Sequence, residues 1–236
     1  MSFCVRPGGW SAISGPNGSG KSTTTKLLTG LLEPDEGFVR PIAKTLRTTL
    51  FHRRRLGYVP EEPQLYAFQS PTEYLELIAN LRELPRQTYA GRTAAMLELF
   101  GLSQAADQAM STFSKGMKQK VMIIAALLHN PDVVILDEPD SGLDTTATLV
   151  LRHLLGELAK RGKCVLYSSH VLDLVEKSCS RVIVLDRGRI VADGTLQTLR
   201  AQTERSSLEG VLATLSRQVD PAKTAADIAD IVTAHA

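Results

Sequence analysis

Glycine, lysine and hydroxyl residues crowd into one block, Gly15-Pro16-Asn17-Gly18-Ser19-Gly20-Lys21-Ser22-Thr23. The block fits G-x-x-x-x-G-K-[ST], in which glycines let backbone N–H groups close around a polyphosphate. Lys21 would neutralise the β and γ oxygens, and the Ser22 hydroxyl would reach Mg²⁺. Two carboxylates, Asp137 and Glu138, follow the apolar run Val133-Val134-Ile135-Leu136. At a strand end, one can hold a metal through its water shell while its neighbour points the other way, toward an attacking water. Alone, such a pair is equally a solvated corner; behind a phosphate loop it reads as a metal ligand and a base. His170 closes a further apolar run, Cys164-Val165-Leu166-Tyr167, after Ser168 and Ser169. A neutral imidazole there would hydrogen-bond a γ-phosphate or orient the water, although a lone histidine more often serves structure. Ser114-Lys115-Gly116-Met117 precedes a helical run from Lys118 to Asn130. It reads either as an ordinary capped helix or as a second anion site made of a hydroxyl, a glycine backbone and a helix N-terminus.

These groups need strand ends and helix N-termini brought to one place. Ala12-Ile13-Ser14 ends an apolar run before the glycine block. Ser22 to Leu31 can open as a helix with Leu27, Leu28 and Leu31 on one face, setting a partial positive charge beneath the phosphates. Upstream, Phe3-Cys4-Val5 is predicted as a strand and Pro7-Gly8-Gly9 as a turn. Leu56-Gly57-Tyr58-Val59 reads as a strand stopped by Pro60. Ser70-Pro71-Thr72-Glu73 is a helix start, with a capping serine, proline first and glutamate third. Tyr74, Leu77, Ile78 and Leu81 then share a face, and helical patterns run on through Met96-Leu97 and Phe100 to a stop at Gly101. A helix is predicted from about Thr145 to Arg161, and Val182–Leu185 turns at Arg187-Gly188 into Ile190-Val191 as a hairpin.

This alternation predicts an α/β fold: a phosphate-loop core with a parallel sheet, a small antiparallel β part and a helical insert. The core would comprise residues 1–69 and 131–193, the insert 70–130, and a helical tail 194–236. Ligands in such a sheet sit at the carboxyl ends of the strands.

A chain of 236 residues, 43% hydrophobic, can bury a sizeable core, and a net charge of +2 gives no global case for nucleic acid or an anionic membrane. Cys4, Cys164 and Cys179 have no metal-ligand spacing, which fits free thiols in a reducing compartment. No apolar run approaches a membrane span and the first residues have no secretory pattern, so a membrane role would come through a partner. Arg40, Lys44, Arg47, Arg53, Arg54 and Arg55 form a basic run without an intervening acid. It is either a contact for phosphates or headgroups or, as the near-neutral chain favours, a solvated face.

The ordered motifs GPNGSGKST, GYVPEEP, FSKGMKQK, VVILDEPDSGLD and SSH resemble the nucleotide-binding subunit of ATP-binding-cassette (ABC) transporters, from about Phe3 to Gly194. The resemblance implies an ATPase using ATP and Mg²⁺, with two copies, or a copy and a homologous subunit, in a head-to-tail dimer. Each ATP would lie between one copy's phosphate loop, Gly15–Thr23, and the other's Ser114 and Gly116. It implies Glu138 as general base, Asp137 as support for Mg²⁺, His170 on the γ-phosphate, and Ser141–Asp144 as the link between the two sites. It further implies an integral-membrane partner inserting a short helix near Glu61 and Tyr74, no nucleic acid, and a cytoplasmic subunit peripheral on the inner face of the membrane.

Three departures accompany the resemblance. The family's L-S-G-G-Q is here Phe113-Ser114-Lys115-Gly116-Met117, a form similar to the exporter branch, as is Ser207–Leu212 in the tail. Glu61 stands where a glutamine usually touches Mg²⁺; a carboxylate can still ligate it, with added negative charge beside the triphosphate. The aromatic residue that stacks on adenine would fall before Met1. Such stacking is worth on the order of 1–3 kcal/mol, so weak nucleotide affinity and poor purine selectivity are expected. The rival is a non-transport ABC ATPase acting as a clamp on nucleic acid or an assembly complex. A phosphate-loop small-molecule kinase would leave FSKGMKQK and SSH unassigned.

Overall fold

A computed structural model describes residues 1–39, 54–169, 175–176, 178–203, 225–226, 229 and 231. Its elements run β1 (Trp10–Ser14), α1 (Lys21–Thr29), β2 (Leu56–Val59), α2 (Pro71–Leu81), α3 (Arg86–Leu99), α4 (Lys115–Leu127) and β3 (Val133–Asp137). There follow α5 (Thr145–Lys160), β4 (Cys164–Ser168), β5 (Arg181–Asp186), β6 (Arg189–Gly194) and α6 (Leu196–Thr203). The strands form one six-stranded sheet in the order β2-β3-β4-β1-β5-β6. All neighbours are parallel except β5 and β6. Those two are joined by a two-residue turn, Arg187-Gly188, with both residues at positive φ, as a tight hairpin requires. The expected α/β architecture, parallel with a small antiparallel part, is the one present.

β3, β4 and β5 are buried on both faces, which is why they read as apolar runs, whereas β6 at the edge is exposed or half-buried. Alternate residues serve opposite sides: Val134 and Leu136 join the larger core with the helices, while Ile135 joins Ile13, Leu166, Ile183 and Leu185 beneath. The larger core runs continuously from β1 and β4 through Tyr74, Leu75 and Leu97 of the helical segment to Leu151 and Leu155 of α5. α4 lies directly on β2, because Gly57 has no side chain; a Cβ there would fall 2.2 Å from the Ala126 carbonyl oxygen.

Local expectations fare unevenly. The helix start at Ser70 is a full capping box: Ser70 Oγ accepts from Glu73 N–H, and Glu73 returns a bond to Ser70 N–H, with Pro71 first in the helix. On that helix, however, Pro71, Tyr74, Leu75 and Ala79 are the buried residues and Leu81 is exposed. α1 buries Thr24, Thr25 and Thr29 rather than its leucines; Leu27 and Leu28 are half-buried, and Leu31 lies exposed beyond the Gly30 cap. Phe3-Cys4-Val5 is not a strand. Phe3 and Val5 pack on the lower core and the Cys4 carbonyl accepts from Arg181, but both edges of β5 are already taken by β1 and β6.

Of the basic run, Arg54 pairs with Glu83 at 2.8 Å and Arg55 with Asp132, so these two are balanced by acids. Arg40, Lys44, Arg47 and Arg53 lie outside the described residues, as do Ser207–Leu212.

Candidate nucleotide site

β1 delivers the chain into the glycine block at the carboxyl edge of the sheet. Gly15 is pressed against the β5 end: a Cβ would stand 2.2 Å from the Leu185 carbonyl oxygen and 2.7 Å from Ser19 Oγ. Gly18 (φ +77°) and Gly20 (φ +103°) adopt left-handed conformations open mainly to glycine. A turn bond from Ser19 N–H to the Pro16 carbonyl closes the loop, and Gly188 N–H donates to the Ser19 carbonyl at 2.9 Å, so the hairpin turn braces it. Pro16 is half-buried, while Asn17 and Gly18 are exposed at the loop's tip.

Gly20 occupies the cap position of α1 with no side chain closing the helix end, and no acid lies in the first turn. The free N–H groups and the helix dipole therefore favour an anion. Lys21 is buried, and its ammonium donates to the Gly15 carbonyl at 2.9 Å and the Pro16 carbonyl at 3.3 Å, spanning the loop. Ser19 Oγ is buried without a hydrogen-bond partner. An uncapped helix end, a loop-spanning cation and an orphaned hydroxyl fit a polyphosphate.

Behind the loop, Thr25 sits one helical turn beyond Lys21, and its hydroxyl lies 3.1 Å from Asp137 Oδ2 and 2.9 Å from the Ser22 carbonyl. This contact brings the phosphate loop and the Asp137-Glu138 pair together. Asp137 is 1% exposed, Glu138 and Ser22 are half-buried, and Thr23 is exposed. Ser22 and Asp137 offer only hard oxygen atoms, a donor set suited to Mg²⁺. Tyr58 on β2 also bonds to Thr25; burial foremost, then the charge of Asp137, pushes its phenol above the usual range. Glu61, beyond β2, is exposed, and its charge adds to the same effect.

Ser114 caps α4, accepting from Met117 N–H at 3.2 Å. Gly116 packs against the Gly142 carbonyl, and the Lys115 ammonium donates to Ser141 Oγ at 2.6 Å. No hydrogen bond or ion pair among the described residues joins Ser114 or Gly116 to the chain's own phosphate loop. The loop that follows Glu138 is held on its other side by Tyr167, whose hydroxyl donates to Asp140 Oδ2. Burial, with Asp140 next, drives that phenol far above its ordinary range. Asp144 then caps α5, and its bond from Ala147 N–H holds its carboxyl below the usual value. His170 lies outside the described residues, although the strand leading to it is buried through Ser169.

Sequence reasoning missed Thr25, Tyr58 and Ser168. Thr25 carried a signal, being four residues beyond Lys21 and so on the same helix face. Ser168 carried none, because its importance comes from lying opposite Asp137 in the β3–β4 register.

The ABC transporter family model matches residues 1–141. An ABC transporter ATP-binding protein of Nostoc (strain PCC 7120), all4389, is 36% identical over 211 residues, covering 89% of this chain and 63% of that protein. The Nod factor export ATP-binding protein I of Burkholderia thailandensis is 35% identical over 200 residues, covering 84% and 66% respectively. The chain thus spans a little under two thirds of each. A solved structure of the ATP binding subunit of an ABC transporter superposes with a TM-score of 0.83 at 36% identity, covering 91% of both chains. With a family model over more than half its length and a solved relative of the same fold, this chain belongs to the ABC transporter family.

Proposed function

We propose that this protein binds ATP with Mg²⁺ and hydrolyses it as one half of a head-to-tail pair, powering an exporter-type membrane transporter. The observation that carries the reading is the Thr25–Asp137 contact, which couples a phosphate-binding loop to an acid pair at one sheet edge. The loop N–H groups and Lys21 would hold the β and γ phosphates, and Ser22, Asp137 and Glu61 would hold the metal. Mg²⁺, when bound, neutralises charge on the phosphate oxygens. Glu138 accepts the proton of the attacking water, and His170 contacts the γ-phosphate.

Ser114 and Gly116 face a second copy: among the described residues no hydrogen bond or ion pair ties them to the chain's own phosphate loop, so the anion they would bind comes from the partner's site. That division treats residues 70–130 as a helical subdomain carrying Ser114 and Gly116, set between the core segments 1–69 and 131–193, with residues 194–236 as a tail. Among the described residues no helix is long and apolar enough to cross a membrane. The membrane subunit docks beside Glu61, where Tyr66 and Phe68 are exposed at 65% and 94%; Tyr74 is buried and supports that surface from beneath. The complex works at the inner face of the membrane. An export direction rests on the Lys115-Gly116-Met117 form and on the similarity to the Nod factor export ATP-binding protein of Burkholderia.

The direct test is Glu138→Gln. It is expected to retain ATP binding and to lose turnover by roughly a hundredfold or more, the scale of positioned general-base catalysis. Parental hydrolysis by this variant would remove Glu138 as the base.

A further inference from the structure

We propose that Ser168 is a positioning residue for Glu138, aiming its carboxylate through the backbone; this rests on the reading of Glu138 as the base. Ser168 ends β4 and is fully buried directly across from Asp137 in the parallel ladder. Its one hydroxyl makes two bonds: it donates to Asp137 Oδ1 at 2.5 Å and accepts from Glu138 N–H at 3.0 Å. The two acids are neighbours in sequence, so this hydroxyl clamps the peptide that joins them. The other Asp137 oxygen is held by Thr25 at 3.1 Å, so both oxygens of the metal-side acid are anchored.

Glu138 has φ +49°, a left-handed conformation that non-glycine residues adopt only when their surroundings enforce it. That twist turns Glu138 out of the strand's alternation and sets the direction of its side chain. Its N–H also reaches the Ser168 carbonyl at 3.2 Å, a contact that survives loss of the hydroxyl. Removing Ser168 Oγ therefore leaves the strand paired and one anchor of the Glu138 N–H in place, but loosens the twist. Among the described residues no hydrogen bond joins the Ser168 hydroxyl to the phosphate loop itself, so ATP binding measured without Mg²⁺ should be spared while the base loses its aim.

The experiment compares Ser168→Ala and Ser168→Thr in the parent and in the Glu138→Gln background, reading kcat, KM and ATP affinity. Expected is a loss of about tenfold in kcat for Ser168→Ala, the order of one buried hydrogen bond. ATP affinity measured without Mg²⁺ should stay within about twofold, and Ser168→Thr should restore the rate. In the Glu138→Gln background Ser168→Ala should cost nothing further, because a residue acting through Glu138 has nothing left to aim. Parental kcat in Ser168→Ala, or an equal further loss in the Glu138→Gln background, would overturn the proposal. So would a joint collapse of kcat and affinity that threonine fails to rescue. Should Glu138→Gln itself keep the parental rate, the base assignment fails and this proposal with it; a silent Ser168→Ala beside an inactive Glu138→Gln rejects the clamp alone.

Discussion

Gly116, in the first turn of α4, lies so close to Gly142 that a Cβ would stand 2.3 Å from the Gly142 carbonyl oxygen. The Lys115 stem covers Gly142 from the same side, and its ammonium reaches Ser141. The segment proposed to meet a partner's nucleotide and the loop following Glu138 are therefore joined as one surface. Gly116→Ala must push them apart, since a backbone oxygen cannot yield as a flexible side chain would. The expected outcome is a loss of hydrolysis of about tenfold or more with unchanged binding of ATP to the isolated protomer, measured by steady-state kinetics beside a binding titration.

The phosphate loop offers a matched pair of glycines. At Gly15 a Cβ collides with Leu185 and Ser19, whereas at Gly18 nothing lies within 4 Å and only a positive φ opposes a side chain. Gly15→Ala should lower stability by about 2–4 kcal/mol and abolish nucleotide binding. Gly18→Ala should cost about 1–2 kcal/mol, the scale of one left-handed non-glycine residue. Thermal unfolding with and without ATP separates them: a ligand-induced rise in Tm persists for Gly18→Ala and vanishes for Gly15→Ala.

These contrasts show what a sequence does and does not disclose. The Ser70 cap was legible because every group in it lies within four residues. The glycine block was legible because its conformational demand is local. The buried side of α1 was not: its leucines form the regular apolar stripe, yet the helix turns its threonines inward, where Thr25 reaches Asp137. Polar contacts to the site outweighed apolar periodicity there. Ser168 could be recognised only once β3 and β4 were in register, and Phe3–Val5 had strand-like residues but no free edge of β5 to join.

His129 makes stability depend on pH. Its Nε2–H donates to the Leu56 carbonyl at 3.1 Å, and Nδ1 is buried without a partner. Burial first, then Arg82 and Lys163, lowers its pKa from 6.5 to about 4, with the Leu56 bond opposing. Between those values the unfolded chain binds the extra proton and the folded chain does not. The full stability is therefore present above pH 6.5 and is lost progressively as the pH falls toward 4. His129→Gln, which can keep the bond to Leu56, should show a flatter decline over that window in chemical unfolding. An unchanged slope would assign the decline to other groups.

The central claim is that one triphosphate draws two copies together, each completing the other's site. Sedimentation of Glu138→Gln with saturating ATP and Mg²⁺ measures this directly, with Ser114→Arg in the same background as the control at an exposed position of the proposed interface. The account predicts a single species of twice the protomer mass that reverts to protomers without nucleotide, and none in the Ser114→Arg control despite retained ATP binding. Protomers alone at full ATP occupancy, even beside the membrane subunit, would contradict it.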